Sequence, residues 1–495
     1  MLAIVAALSV LVGSDTVRVP AVDREFRGVW VASVSNIDWP SKPGLPVAEQ
    51  QAELLAILDK AQGLRLNAVL LQIRPSGDAL YASSLEPWSE YLTGRQGVAP
   101  SPLWDPLAFA VAESHARGLE LHAWFNPYRA KDPSSKSAYA PAHLAVRRPS
   151  LVKRYGRYSW MDPGSDEVRQ HTTQVVLDVV QRYDIDGVHI DDYFYPYPER
   201  DARGKLIPFP DDDSYNRYRM GGGTLTRDAW RRRNVDVLVQ ELHRAIRAAK
   251  PWVKFGVSPF GIWRPGEPAG IQGFDAFNGI YADARRWMHE GWVDYMAPQL
   301  YWPIAATAQS YPVLLKWWGE QNHHGRHLWP GNFTSRVETR PDWPMSELLA
   351  QVTATRADHT ATGNIHFSMA ALMKNQGGVA DAMSRQLYAA NALVPESPWL
   401  AGRAPSAPTA VLTTDASRRE MLCVAPAIAD SAAGAPRWWI MQIKRGGAWT
   451  SEVLPAGVRR WSVGTLTRSD TLVVSGVDRT GRQGPPVLVT TRGSC

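Results

Sequence analysis

The sequence predicts an α/β fold, a (β/α)8 TIM-type barrel followed by a C-terminal all-β sandwich of fibronectin type III character. Two observations carry this prediction. Between about residues 24 and 390, eight short apolar runs rich in β-forming residues alternate with longer amphipathic segments, as expected of β/α units. After about residue 390 the pattern changes to several short β-type runs separated by turn residues, which is typical of a sandwich.

The barrel prediction is based on eight strand candidates and on helical segments between them. The strand candidates are Phe26–Ser33, Ala68–Arg74, Glu120–Asn126, Gly187–Asp192, Val253–Pro259, Val293–Leu300, His327–Phe333 and Asn364–Met369. The helix candidates include Val47–Gln62, Pro106–Arg117, Asp166–Arg182, Asn234–Ala249 and Met345–Thr355. A doubly wound open sheet is the main alternative, but such sheets usually carry a Gly-rich turn after the first strand. The chain reads VASVSNIDWP there, so the barrel is favoured.

The two ends of the chain differ from the barrel region. Residues 1–20 are predicted to be a signal or leader segment, because the apolar run MLAIVAALSVLVG has the length of a signal-peptide core and is too short to span a bilayer. No Cys lies near it, so a lipid anchor is not expected. Residues 391–406 are predicted to be a Pro/Ser/Ala-rich linker, and residues 407–495 the sandwich. Cys423 and Cys495 both lie in the sandwich and are compatible with one disulfide in an oxidising compartment.

The composition limits the classes of partner. The 495-residue chain is 45% hydrophobic, which excludes a disordered protein. Its net charge of +6 is spread along the chain rather than concentrated in basic runs, so nucleic acid is not expected and anionic cell-wall surroundings are favoured. No transmembrane span is predicted, and the His and Cys spacing predicts neither a metal nor a cofactor. The 21 Trp, 17 Tyr and 11 Phe residues suit a protein that packs aromatic rings against sugars.

The chemistry of a barrel lies at the carboxyl ends of its strands, and here aromatic and hydrogen-bonding residues follow nearly every predicted strand. The fourth strand ends in DGVHIDDYFYPYP, where Asp191 and Asp192 are adjacent. Two neighbouring carboxylates at the end of an apolar strand are costly to ionise together, so this pair is the main candidate for catalysis. Because neighbours on a strand point to opposite faces, the pair can act together only if the strand ends or bulges there.

Six segments identify a family resemblance, and they occur in the family's order between about residues 24 and 390. They are EFRGVWVASVSNIDWPS, NAVLLQIRPSGDALYAS, LHAWFNPYRA, DGVHIDDYFYP, FGVSPFGIWR and DYMAPQLYW. Together they resemble the glycosyl hydrolase-like family 10, the former domain of unknown function 187. The resemblance implies a bacterial glycosidase, usually exported, that cleaves glycan strands of the cell envelope, above all peptide-stripped peptidoglycan. It also implies cell-division or other envelope proteins as candidate partners, and a periplasmic or secreted location.

The resemblance and the strand ends together give the candidate site. The catalytic candidates are Asp191, Asp192 and Tyr301, and the substrate-binding candidates are Arg74, Asp78, His122, Trp124, Asn126, Tyr193, Ser258, Trp263, Gln299 and Trp302.

The sequence is compatible with more than one mechanism. Neither the fourth nor the seventh strand exit carries a Glu, which argues against a two-glutamate double displacement. In a substrate-assisted mechanism, similar to that of chitinase-like barrels, one Asp of the pair is the acid, its partner holds the 2-acetamido group, and Tyr301 supports the carbonyl. An inverting mechanism would instead use a further acid such as Asp78, Asp38 or Glu267 across the cleft.

Two other functions compete with envelope glycan hydrolysis. A non-catalytic glycan-binding protein would keep the aromatic cleft, since a fold alone does not establish chemistry. A hydrolase of another extracellular polysaccharide would keep both the cleft and the acids.

Overall fold

The structure, a computed structural model, describes residues 8–12, 15–427 and 434–495. A parallel sheet closes into a barrel surrounded by helices, and two antiparallel sheets follow toward the C-terminus. The predicted fold class, a (β/α)8 barrel with a C-terminal β-sandwich, is therefore confirmed.

The barrel sheet contains nine parallel strand segments in an order that follows the chain around the barrel. In chain order they are Phe26–Val31, Ala68–Arg74, Glu120–Phe125, Gly187–Ile190, Lys254–Val257, Tyr295–Met296, His327–Leu328, Gly331–Asn332 and Gly363–His366. Every residue of these segments is buried, as expected where the outer face packs on helices and the inner face fills the barrel.

The segments His327–Leu328 and Gly331–Asn332 are two parts of one strand, the seventh of the barrel. On one side, the Trp329 amide donates to the carbonyl of Met296, the last residue of the sixth strand, and the Gly331 amide donates to the carbonyl of Pro298 just beyond it. On the other side, the amides of Ile365 and Phe367 donate to the carbonyls of Pro330 and Asn332. The seventh strand is thus bonded to both neighbours, and since the eighth strand pairs with the first, eight strands close the barrel.

The helices cover the outside of the barrel. The longest are Val47–Gly63, Pro106–Ala116, Asp166–Arg182, Arg227–Ala249, Tyr311–Glu320 and Met345–Ala357. Shorter helices are Glu90–Thr93, Leu144–Arg147, Asp212–Met220, Ala276–Gly279, Ala284–His289, Met369–Met373 and Val379–Ala382. The predicted start of the fourth long helix was wrong: the helix expected from Asn234 begins at Arg227, because the Thr226 hydroxyl accepts from the Ala229 amide and caps it there.

A small antiparallel sheet follows the third barrel strand and was not predicted. It consists of Arg129–Lys131, Val152–Tyr155 and Tyr158–Met161. Its first strand begins three residues beyond Asn126, so the sheet fixes the course of the loop that carries Arg129 to the top of the barrel.

The C-terminal domain has two antiparallel sheets. One contains Thr409–Thr414, Glu420–Ala425 and Arg460–Ser462; the other contains Trp438–Arg445, Ala448–Pro455, Thr471–Val477 and Val487–Leu488. Their facing apolar side chains form a core of their own around Leu422, Trp439 and Val474. Cys423 and Cys495 form a disulfide that ties the last residue to the second strand of the domain.

The sandwich packs against the amino-terminal end of the barrel, opposite the strand exits. Arg437 of the sandwich forms ion pairs with Asp184 and Asp186, which precede the fourth barrel strand. The Trp438 indole donates to the carbonyl of Gly118, just before the third strand. The connecting segment 391–406 also packs here, with Leu393 buried beside Trp438. The sandwich is therefore a base for the barrel, and it lies away from the predicted site.

The predicted leader segment falls partly outside the described residues, which exclude 1–7 and 13–14. Within it, Leu8–Val12 and Asp15–Val19 pair as antiparallel strands. Among the described residues, no helix has the length and apolar character that crossing a membrane requires.

Candidate active site

A cleft of about 280 Å³ opens at the carboxyl ends of the barrel strands. Residues from most strand exits line it, so side chains far apart in sequence meet at one place. The lining residues are Trp30, Ala32, Val34, Ile37, Gln72, Trp124, Arg129, Asp191, Asp192, Tyr193, Tyr197, Ser258, Phe260, Gln299, Tyr301 and Phe367.

Asp191 and Asp192 both face the cleft because the fourth barrel strand ends immediately before them. The strand runs from Gly187 to Ile190, and the carbonyl of Ile190 accepts from the Ser258 amide of the neighbouring strand. Beyond that bond the chain is no longer a strand, so the alternation that would point the side chains of Asp191 and Asp192 to opposite faces no longer applies. The strand therefore ends where it must if the two acids are to act together.

Asp191 is held by two N–H donors from the neighbouring third strand. The Trp124 indole donates to its Oδ2 at 3.1 Å, and the Asn126 amide lies 3.2 Å and 3.3 Å from its two oxygens. In both contacts the nitrogen can only donate. These partners therefore stabilise an ionised Asp191.

Asp192 has different partners. The Tyr197 hydroxyl donates to its Oδ2, and Gln299 from the sixth strand exit also hydrogen-bonds to it. A hydroxyl or a carboxamide can accept as well as donate. These partners therefore accommodate either the ionised or the protonated form of Asp192.

Burial makes it costly to charge both carboxyls. Assisted by the Asp192 charge, burial raises the pKa of Asp191 to about 7, against the opposing effects of Arg129 and the two N–H donors. Burial also raises the pKa of Asp192, against its hydrogen bonds. Because two such close acids titrate as a pair, one proton and one negative charge are shared between them near neutral pH.

Arg129 is the cation of the cleft. It is buried, its Nε donates to the Pro75 carbonyl at 2.9 Å, and its guanidinium lies 4.9 Å from the centre of the Tyr193 ring. Its charge lowers the pKa of both acids of the pair, so Arg129 helps the site to hold one negative charge.

Aromatic side chains form the walls of the cleft. Tyr301 packs against Phe333 at 4.7 Å between ring centres and lies 6.0 Å from Phe367. Burial, together with the charges of Asp192 and Tyr193, raises the pKa of Tyr301 well above its ordinary value, so its hydroxyl stays protonated. The walls thus combine flat apolar faces with a few fixed polar groups, as carbohydrate clefts require.

The structure brings most of the predicted site residues together. Those in the cleft are Asp191, Asp192, Tyr301, Trp124, Tyr193, Ser258 and Gln299, and Asn126 lies directly behind Asp191. Five predicted residues lie outside the lining of the cleft: Arg74, Asp78, His122, Trp263 and Trp302.

Arg74 is fully buried and all its donors are used by the protein. It forms a bidentate ion pair with Glu86, and its Nη1 donates to the carbonyls of Asn126 and Pro127. Its remaining Nη2 contact is with Met161. Arg74 therefore offers no donor to a substrate and instead fixes the backbone that carries Asn126.

The other four residues pack behind the cleft. Asp78 accepts from Gln96, and burial raises its pKa to about 6. His122 lies deeper inside the barrel, Trp263 stacks on Trp317, and Trp302 packs on Phe260 behind the wall.

None of the three further acids considered for an inverting mechanism, Asp78, Asp38 and Glu267, lines the cleft. Asp38 accepts from the amides of Ala32 and Ala370 and from the Ser368 hydroxyl, so it joins the first and eighth strand exits. Glu267 is 42% exposed on a loop beside Arg285. Of the lining residues, only Asp191 and Asp192 are acidic.

Sequence reasoning missed several residues of the cleft as site residues, among them Trp30, Arg129, Tyr197, Phe260 and Phe367. Tyr197 carried a usable signal, because it lies in the same strand exit as the Asp pair. Phe367 carried none, since its position depends on how the eighth strand leaves the barrel. Within the described residues, no group of three or more His, Cys, Asp or Glu side chains could hold a metal ion.

Comparison with known proteins gives consistent matches. The sequence profile of the family described as Glycosyl hydrolase-like 10 matches residues 25–343. The chain is 42% identical over 430 residues to the glycosyl hydrolase YngK of Bacillus subtilis, covering 84% of this chain and 83% of that protein. It is 36% identical over 382 residues to the glycosyl hydrolase DigH of Escherichia coli, covering 71% and 84%. The fold resembles the catalytic domain of β-amylase from Paenibacillus polymyxa, with a TM-score of 0.50 at 11% identity, covering 74% of this chain and 99% of that domain.

Proposed function

Since the chain belongs to the Glycosyl hydrolase-like 10 family and is a glycosidase, we propose that it cleaves bacterial envelope glycan strands that contain N-acetylhexosamines. The single observation that carries this proposal is the position of Asp191 and Asp192, two adjacent buried carboxyls that share one cleft. The cleft has aromatic walls for sugar faces and a pair of acids that holds one proton.

The arrangement favours a substrate-assisted mechanism. A two-carboxylate mechanism needs acids on opposite sides of the bond, about 5 to 10 Å apart. Here both acids leave the same strand end, and no other lining residue is acidic. The nucleophile then comes from the substrate, whose 2-acetamido oxygen can attack its own anomeric carbon.

The contacts of the two acids support a different role for each. Burial and the charge of Asp192 raise the pKa of Asp191 to about 7, which by itself favours a proton on Asp191. Its protein partners, however, only donate, and the acetamido N–H of the bound sugar adds a further donor. We therefore assign Asp191 as the anion of the substrate complex. Asp192, whose partners tolerate a proton, is the general acid. Tyr301, which lines the same cleft and stays protonated, donates to the acetamido carbonyl oxygen and orients it.

The reaction then proceeds in two balanced steps. Asp192 gives its proton to the glycosidic oxygen as that bond breaks, and the acetamido oxygen bonds to the anomeric carbon to form an oxazolinium ion stabilised by Asp191. Water then adds to the anomeric carbon, the ring opens back to the acetamide, and Asp192 recovers a proton from the water.

Peptide-stripped peptidoglycan is the proposed natural substrate. The family resemblance supports it, and so does the lining of the cleft, where the one cation, Arg129, is already bonded to Pro75 and stacked on Tyr193. The carboxylates of a peptide stem would find no second cation among the residues that line the cleft. The N-terminal apolar run and the Cys423–Cys495 disulfide support a periplasmic or secreted location.

The test is mass spectrometry of purified peptide-free peptidoglycan strands after incubation with the wild-type protein and with Asp191→Asn. We expect shorter strands with new reducing ends from the wild type and none from the variant. Ends in anhydro form would replace hydrolysis by a lytic mechanism. Uncut strands at every protein concentration would contradict the proposed substrate, and retained binding to them would indicate a glycan-binding protein.

A further inference from the structure

A chain of buried polar side chains runs through the inside of the barrel and ends in the cleft. Starting from the ion pair of Lys254 with Glu120 at 2.8 Å, it passes through His122, Tyr295 and His189. It ends at the Ser258 hydroxyl, 2.9 Å from His189 Nε2. All six side chains are buried, and only Ser258 lines the cleft.

The polarity of this chain is fixed by Trp30. The indole Nε1 of Trp30 lies 3.1 Å from His189 Nε2 and can only donate, so Nε2 carries no proton. His189 therefore has its proton on Nδ1 and donates it to the Tyr295 oxygen, 3.0 Å away.

The hydrogen bonds from Tyr295 to Glu120 run in the same direction. Because Tyr295 accepts from His189, its own proton is donated to His122 Nδ1 at 2.9 Å. His122 then carries its proton on Nε2, which lies 3.0 Å from the Glu120 carboxylate, an acceptor. The chain thus ends at a carboxylate acceptor, and from His189 to Glu120 each side chain donates to the next.

The protonation of His189 also fixes the direction of its hydrogen bond with Ser258. The single lone pair of His189 Nε2 is shared between the Trp30 indole and the Ser258 hydroxyl. Because Nε2 has no proton, Ser258 can only be the donor in this contact, and the lone pairs of Oγ remain for the cleft. Burial also lowers the pKa of His189 well below its ordinary value, so the imidazole stays neutral.

We propose that Ser258 is a specificity residue that accepts a hydrogen bond from a donor group of the bound sugar, and that His189 is the positioning residue that holds it in this role. The inference deepens the proposed function and rests on it, because it takes the cleft as the sugar site. Because the acetamido N–H is assigned to Asp191, the inference gives the substrate a hydroxyl that must donate at this position.

The first test uses aryl N-acetylhexosaminides in which each sugar hydroxyl in turn is replaced by hydrogen or by fluorine, which can accept but not donate. For one position, both replacements should lower kcat/KM of the wild type roughly 10- to 100-fold. Ser258→Ala should lose a similar factor on the parent glycoside and no longer distinguish it from those two analogues.

Ser397→Ala is the matched control. The Ser397 hydroxyl lies 2.9 Å from Nε2 of the buried His327, a Ser–His contact outside the cleft lining. This variant should keep the wild-type discrimination among analogues. A fluoro analogue hydrolysed like the parent while the deoxy analogue is slow would show that Ser258 donates, and would overturn the inference. Equal losses on every analogue in Ser258→Ala would overturn it as well.

The second test needs no substrate, so its failure is separate from failure of the proposed function. In long-range ¹H–¹⁵N spectra of histidine-labelled protein, assigned with a His189→Gln variant, His189 should show a protonated Nδ1 and a bare Nε2. This state should persist through the ordinary histidine pKa of about 6.5. A protonated Nε2 would overturn the polarity even in an active enzyme. A wild type that cleaves no N-acetylhexosaminide would overturn the proposed function instead.

Discussion

The indole Nε1 of Trp124 donates a hydrogen bond of 3.1 Å to the carboxylate of Asp191, and the two residues stand at the exits of adjacent barrel strands. On the other side of the pair, the Tyr197 hydroxyl donates to Asp192. Two neighbouring acids of one chain thus sit in different environments, which is how a protein gives two identical groups two roles.

Replacing Trp124 by Phe should shift the acidic limb of the pH profile of kcat/KM. The indole donor lowers the pKa of Asp191, so its loss raises that pKa, and the ionised form appears only at higher pH. We expect the rising limb to move up by roughly 0.5 to 1 in pH. Trp104→Phe, which changes a Trp that packs beside Phe109, is the control and should leave the limb in place. A shift to lower pH would contradict the role of Asp191 as the anion.

Replacing Tyr197 by Phe should act on the opposite limb. The hydroxyl lowers the pKa of Asp192, so its loss raises that pKa and keeps the acid protonated to higher pH. The falling limb of the same profile should therefore move upward, with the rising limb changed less. If only the rising limb moved, the assignment of Asp192 as the acid would be wrong.

Replacing Glu86 by Gln should destabilise the barrel strongly. The change leaves the fully buried Arg74 without its ion pair, which costs about 3 to 5 kcal/mol in the free energy of unfolding. Although burial opposes it, the Arg74 charge and His171 hold the pKa of Glu86 below its usual range. The stability from Glu86 is thus present above its unfolded pKa of about 4.3 and lost as pH falls through the folded value. Urea unfolding at neutral pH measures the difference, and a loss under about 1 kcal/mol would contradict the account.

Replacing Trp438 by Ala should loosen the base of the barrel without touching the cleft. Trp438 is buried beside Leu393, and its indole donates to the Gly118 carbonyl. We expect a loss of about 3 to 5 kcal/mol in unfolding free energy, while KM of the remaining folded enzyme stays at the wild-type value. Trp449→Ala, on the outer strand of the sandwich, should cost less. An altered KM in Trp438→Ala would show that the sandwich affects the substrate site.

The sequence predicted the barrel and its eight strands because periodicity and turn residues are local signals. It did not predict the split of the seventh strand or the small sheet that begins at Arg129, since both depend on contacts made only in the folded barrel. The Asp191–Asp192 pair was found because its local pattern is costly without a function. Arg74 was predicted to bind substrate, because no local signal in the sequence shows that its guanidinium forms an ion pair with Glu86.

The chain of buried polar side chains behind Ser258 also could not be predicted from the sequence. His122 and His189 were each visible at a strand end, but the sequence cannot show that one tyrosine hydroxyl joins them. Strand alternation gives the side of the sheet on which a residue lies, and depth inside the barrel follows only from the register of neighbouring strands.

The most direct test of the account compares Asp191→Asn and Asp192→Asn on aryl N-acetylhexosaminides whose leaving groups differ in basicity. A good leaving group needs no proton, so Asp192→Asn should cleave a dinitrophenyl glycoside at close to the wild-type rate. It should lose roughly 100- to 10,000-fold on a poor leaving group. Asp191→Asn should be slow on both. Equal losses for all leaving groups in Asp192→Asn, or rescue of Asp191→Asn instead, would contradict the division of roles between the two acids.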